Sequence, residues 1–132
     1  VNSWQIVKHW RWIPAIAWMG LIFYLSSRTG EEIQSMFPMF DRLDWGHFVA
    51  YFILGLAYWF ALQGYALNEW KRKGWAVLLS FCYGVSDEIH QAFVPGRHPD
   101  PLDVVNDVLG ATLAMLMVYG WRKWRKNKFM FL

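Results

Sequence analysis

Four long stretches of this chain are almost free of charge, and they decide what it can fold into. Trp12 to Ser27 carries no charged side chain. Gly46 to Leu67 runs for 22 residues with His47 as its only potential cation. Gly74 to Ser86 is uncharged, and apolar character continues past Asp87 to Val94. Val108 to Trp121 is uncharged, in a helix expected to begin near Leu102. A helix needs about 20 residues to cross about 30 Å of hydrocarbon. The expectation is therefore an all-α integral membrane four-helix bundle in one domain, residues 1–132, with spans at about 10–27, 46–67, 74–94 and 102–121. Strands are excluded, because no segment alternates with period two and an open sheet cannot cross lipid.

Composition agrees. The apolar set is 56% of the chain and charged residues only 17%, against about 45–50% and about 25% in soluble domains. Ten tryptophans and an aromatic share of 20% exclude a disordered chain, which is aromatic-poor and charge-rich. One cysteine excludes a disulfide framework. Cys82, mid-span, is expected to be a small core residue. Lys8 and Arg11 before the first apolar run resemble the start of a signal peptide. The run ends in Ser26-Ser27-Arg28 without a small-x-small cleavage site, so a retained helix is expected.

Lysine and arginine placement sets the expected orientation. Ten of the thirteen fall in the N-terminal tail (Lys8, Arg11), the loop after span two (Lys71, Arg72, Lys73) and the C-terminal tail (Arg122, Lys123, Arg125, Lys126, Lys128). Arg28, Arg42 and Arg97 fall on the other side. Both termini are therefore expected in the cytoplasm. Of ten acids, only Glu69 joins that side. Trp10, Trp12, Trp70, Trp75, Trp121 and Trp124 gather there too, as amphipathic rings do at an interface. The basic C-terminal run reads as an anchor on anionic lipid rather than a nucleic-acid site.

The outer helix ends carry the polar residues. At helical spacing, Ser80, Tyr83, Gly84, Asp87, His90 and Gln91 form one face of span three. Asp103, Asn106, Asp107, Gly110 and Ala114 form a face of span four, and His47, Tyr51, Gly55 and Tyr58 a face of span two. Glu88 lies about 100° round from Asp87. Gly55, Gly84 and Gly110 would let these faces approach closely. Ionisable groups at membrane depth face a bundle interior or water, so a polar pocket at the outer leaflet is expected. Its expected ligand-binding residues are Ser26, Ser27, His47, Tyr51, Asp87, Glu88, His90, Gln91, Arg97, Asp103, Asn106 and Asp107. A buried network that only locks helices together is the competing expectation.

Chemical motifs are sparse. Asp87-Glu88-Ile89-His90 resembles a helicase box but lacks a phosphate-binding loop. A Ser–His–Asp set from Ser26 or Ser27, His90 and Asp87 has no nucleophile elbow. No cofactor is expected. A divalent metal on His47, His90, Asp87 and Asp107 is chemically reasonable, but no H-E-x-x-H or similar ligand spacing supports it. Arg97, after the Pro95-Gly96 turn, is expected either to capture a carboxylate or phosphate bidentately or to pair internally with Asp100 or Asp103.

Tyr24-Leu25-Ser26-Ser27, Gly46-His47-Phe48 with Tyr51 and Gly55, Ser86-Asp87-Glu88-Ile89-His90-Gln91 with Phe93-Val94-Pro95-Gly96-Arg97, and Asp103 with Asn106-Asp107 and Gly110 together resemble the VanZ-like family. The likeness runs from about Trp12 to Trp121. Members are small bacterial membrane proteins of about four helices, named for a protein linked to teicoplanin resistance. The resemblance implies a multi-pass protein of the bacterial cytoplasmic membrane acting at the cell surface. Its pocket would bind an outer-leaflet amphiphile, either a lipoglycopeptide antibiotic such as teicoplanin or a lipid-linked cell-wall precursor. The alternative is a membrane-embedded hydrolase or transferase acting on a lipid headgroup. There His90 would be the acid-base group, Asp87 would orient it, and Glu88 or Asp107 would supply a second carboxylate. The oligomeric state is not legible in the sequence.

Overall fold

The computed structural model describes residues 2–38 and 44–131, except the side chain of Asp44. Asp41 and Arg42, counted above with the outer loop, lie outside the described residues. The elements are α1 (Ser3–Trp10), α2 (Ile13–Ser26), α3 (Gly30–Met36), α4 (Asp44–Leu62), α5 (Glu69–Gln91) and α6 (Pro101–Met130). Among the described residues there is no strand.

The expected first span, about 10–27, corresponds to α2, which starts only at Ile13, and an unforeseen helix, α1, precedes it. Pro14 sits in the first turn of α2, where it has no N–H to carry a helix through from α1. The chain turns at Arg11-Trp12, and the Trp12 N–H bonds back to the His9 carbonyl. An unforeseen short helix, α3, follows α2. Thr29 caps it by accepting the Glu32 N–H. Helices α5 and α6 both outrun the expected spans, α5 at its start and α6 at its end. Asn68 caps α5 through the Lys71 N–H, and Asp100 caps α6 through the Leu102 N–H.

Two helices are long and apolar enough to cross a membrane, α4 over Trp45–Leu62 and α6. Helix α2 is apolar throughout but has 14 residues. Helix α5 has 23 but carries charges at both ends.

Helix α6 packs most extensively on α4, α5 packs against both, and α2 joins through α4 and α5. Glycines set the closeness of these contacts. A Cβ on Gly110 would lie 2.3 Å from the Phe48 carbonyl oxygen, and one on Gly55 would lie 3.1 Å from the Ala111 Cα. Tyr51, Leu54, Tyr58, Ala76, Ala114, Met115 and Val118 fill the core between them. The Trp18 indole donates to the Ala50 carbonyl at 2.8 Å, and Tyr83 donates to the Met19 carbonyl at 2.6 Å, fixing α2 to α4 and α5. Large apolar side chains remain exposed along the outside, including Ile16, Phe23, Leu78, Phe81, Leu109, Leu116 and Met117. An apolar surface of this extent marks contact with lipid or with another protein.

The two ends of the molecule differ. At one end Lys8 sits 4.0 Å above the Tyr65 ring and Arg122 lies 5.0 Å from that of Trp59. Glu69 there meets Arg72, Lys73 and Arg122. Burial alone would raise the Glu69 carboxyl. The Trp59 and Arg72 hydrogen bonds, the Arg122 charge and the Lys73 bond outweigh it and hold that carboxyl below its usual range. The opposite end collects the acids. Cys82 is exposed on the outer surface of α5, a correction to its expected core position. It shares α5 with Ser80 and Gly84, which take the buried face.

Candidate functional site

At the acidic end, α4 and α6 bring His47 onto Asp107. Their Nδ1–Oδ1 distance is 3.0 Å, and Asp107 is fully buried. The carboxylate accepts, so Nδ1 carries the proton. Asp103, one turn earlier on α6, lies 3.9 Å from His47 Nε2. The second Asp107 oxygen, Oδ2, makes no hydrogen bond and lies over Gly84, where a Cβ would sit 2.6 Å from it. Helix α5 needs glycine there for this carboxylate to fit.

Asp87 and Glu88 enter from α5. Asp87 Oδ2 accepts from Gln91 Nε2 at 3.1 Å, and the same amide reaches Ser26 Oγ at 3.4 Å. Glu88 Oε2 accepts the Asp100 N–H at 2.9 Å, tying the end of α5 to the start of α6. Its other oxygen is buried without a partner, as is the Tyr51 hydroxyl. One donor atom each of His47, Asp87 and Glu88 lie within 4.8 Å of one another. Six of the twelve expected residues thus form one buried cluster: His47, Tyr51, Asp87, Glu88, Gln91 and Asp107. Ser26 and Asp103 touch it.

His90 and Ser27 form a separate pair beside it. Ser27 Oγ lies 3.4 Å from His90 Nε2, and the imidazole stacks on Phe23 with ring centroids 4.5 Å apart. Ser27 donates its own proton to the Phe23 carbonyl at 2.8 Å, so His90 Nε2–H must be the donor to Ser27. That polarity is wrong for an activated serine nucleophile. His90 Nδ1 has no partner, and Asp87 bonds Gln91 instead. The expected Asp87–His90 relay is therefore not formed, nor is a metal set that includes His90. The histidine–carboxylate pair the chain does form is His47–Asp107. No described contact joins Asn106 to the cluster.

Arg97 arrives from the turn between α5 and α6. Gly96, with φ of +74°, makes that turn, and its carbonyl would lie 2.5 Å from a Cβ on Gly30 at the start of α3. This contact holds the turn against α3. Arg97 Nη1 is buried without a hydrogen bond, and among the described residues no carboxylate pairs with Arg97 within 4 Å. The expected internal bridge to Asp100 or Asp103 is thus not formed. Burial pulls the guanidinium below its ordinary value, while the Asp87, Glu88 and Asp103 charges act the other way.

A cavity of about 260 Å³ opens beside these groups, between α2, α3 and α4. Trp18, Ile22, Leu25, Ile33, Phe37, Val49 and Ile53 give it an apolar wall, and Ser26, His47, Tyr51, Asp87 and Arg97 give it a polar one. Sequence reasoning missed Ile33 and Phe37. The Thr29-Gly30-Glu31-Glu32 capping signature was the available signal for the helix that carries Ile33.

A helical chain with two membrane-length segments and a buried polar cluster at one end defines the class. The chain belongs to the VanZ/LLP1 family, whose model matches residues 11–123. No curated protein and no solved structure gives a match. The family membership and the two apolar helices together point to a membrane protein.

Proposed function

We propose that this chain is a multi-pass protein of the bacterial cytoplasmic membrane that binds an outer-leaflet amphiphile, with a contribution to glycopeptide resistance. Helices α2, α4, α5 and α6 form the four-helix membrane bundle, with both termini in the cytoplasm. The exposed apolar side chains then face lipid. The basic, tryptophan-rich end takes the cytoplasmic side, and the acidic end faces out. With Cys82 replaced by serine, single cysteines at Thr29, Asn68, His98 and Asn127 test this on intact cells. An impermeant thiol reagent should label positions 29 and 98 only, and labelling at 127 would contradict the orientation.

The observation that carries the binding reading is the cavity. Its apolar wall suits an acyl chain, and its polar wall suits a headgroup. Lipoglycopeptides such as teicoplanin and lipid-linked cell-wall precursors have both parts. Arg97 is the anchor for an anionic group, because its Nη1 is unsatisfied and a guanidinium grips carboxylate or phosphate with two bonds. Val49 lines the cavity and is half exposed, so Val49→Trp should fill the space without unfolding the chain. Cells expressing Val49→Trp or Arg97→Lys should lose protection against an acylated glycopeptide while holding wild-type amounts of protein. Full protection with Val49→Trp would contradict the cavity, and full protection with Arg97→Lys would contradict the bidentate grip.

The second reading is a membrane-embedded hydrolase or transferase acting on a lipid headgroup. The His47–Asp107 pair favours it, since a carboxylate on Nδ1 fixes the tautomer that leaves Nε2 free as a base.

A further inference from the structure

Helices α4 and α5 converge His47, Asp87 and Glu88 so that one donor atom of each lies within 4.8 Å of the others. We propose that these three side chains hold one divalent cation of the zinc or manganese class. This goes beyond the amphiphile reading and does not depend on it.

The donor set fits that class, because imidazole with carboxylates suits zinc and manganese better than calcium or magnesium. Each donor is already aimed by a partner. Asp107 accepts the His47 Nδ1 proton at 3.0 Å, which leaves the Nε2 lone pair for a metal. A carboxylate behind a histidine is the usual support of a metal-bound imidazole. Gln91 holds one oxygen of Asp87, and the Asp100 N–H holds one oxygen of Glu88. The second Glu88 oxygen has no partner although the residue is nine-tenths buried.

Charge argues the same way. Asp87, Glu88 and Asp107 are all buried. The Arg97 charge acts on Asp87 and Glu88, but among the described residues Arg97 makes no ion pair. Buried carboxylates in such number need positive charge or protons. A dication on three of the groups meets that need. His47 and Asp87 also line the cavity, so the remaining coordination positions face it. Three protein ligands with open positions is the pattern of a site that accepts a further ligand.

The test uses the whole chain in detergent and the metal alone. Protein stripped with a chelator is titrated with Zn²⁺, and separately with Mn²⁺, by calorimetry and by elemental analysis after desalting. One metal per chain and a higher melting temperature are expected for at least one of the two ions. Asp87→Asn and Glu88→Gln keep shape and should lose the stoichiometric metal. Asp107→Asn touches no metal and should weaken binding by about 10- to 100-fold. A Glu31→Gln/Glu32→Gln chain, changed only at exposed acids, should bind as wild type does. Absence of stoichiometric binding by the wild-type chain would overturn the site. Binding unchanged in folded Asp87→Asn and Glu88→Gln would overturn it equally. If a variant fails to fold, the wild-type stoichiometry and melting shift decide.

Discussion

Gly110→Val should remove most of the folded chain from a detergent preparation. A Cβ at 110 would meet the Phe48 carbonyl at 2.3 Å and the Phe52 nitrogen at 3.1 Å. Both are backbone atoms of α4, so neither can swing aside. Helices α4 and α6 would have to separate along the most extensive contact in the molecule. Overpacking in a core costs about 1–3 kcal/mol and sometimes more, and valine adds a branched side chain where even one carbon has no room. Gly120 is the internal control. It lies on the same helix with nothing within 4 Å of its added Cβ. Gly120→Ala should raise stability by up to about 1 kcal/mol through helix propensity. Thermal unfolding of both variants checks the pair. Equal behaviour at 110 and 120 would contradict the close approach of α4 and α6.

His47→Ala should cost at least as much. It strands Asp107, which is fully buried and whose Oδ2 already lacks a partner. Breaking a buried pair from one side costs about 3–5 kcal/mol, because the remaining group stays desolvated and unpaired. Asp107→Ala should be severe too, since it opens a space over Gly84. The double variant should lose clearly less than the two single losses together, by about 0.5–3 kcal/mol, the range for groups in contact. Additive losses would mean that the two residues act independently and that the 3.0 Å contact does not carry the helix pairing.

Much of this arrangement was readable from spacing. Period 3.6 placed Ser80, Gly84, Asp87 and Gln91 on one face of α5, and all four are buried. It placed Tyr51, Gly55 and Tyr58 on one face of α4, and these are buried as well. The small residues marked the close approaches. What spacing could not supply was the partner of each group, because rotation of one helix against another is set by packing across the contact. So His90 read as the partner of Asp87. It lies instead against Phe23 and Ser27 of α2, while His47, from a helix 60 residues away in sequence, takes Asp107. Glu88 read as a pocket residue about 100° round from the main face, with no partner named for it. The Asp100 N–H draws it under the turn into α6.

Two misreadings were local. The first residues read as a tail, so helix α1 was missed, and the first span was begun near Trp10 although Pro14 marks the start of α2. Cys82 was placed in the core because its type is usually buried, although Ser80 and Gly84 already claimed the inward face of α5. The signal for membrane crossing is uneven across the helices. Helices α4 and α6 carry it in length and hydropathy. Helix α2 is apolar but has 14 residues, and α5 has a central apolar stretch between charged ends.

The cavity account is tested most directly by equilibrium binding of teicoplanin to the purified chain in detergent, read by mass spectrometry of the intact complex. The same glycopeptide without its acyl chain is the comparison. One acylated molecule should bind per wild-type chain, with little binding of the deacylated form. Binding should fall sharply in folded Val49→Trp, where the cavity is filled. A lipid-linked precursor carried through purification and displaced from wild type, but absent from Val49→Trp, would be the same result with the other ligand of this class. Equal retention of acylated and deacylated molecules, or undiminished binding of both ligands by Val49→Trp, would contradict an amphiphile seated between α2 and α4.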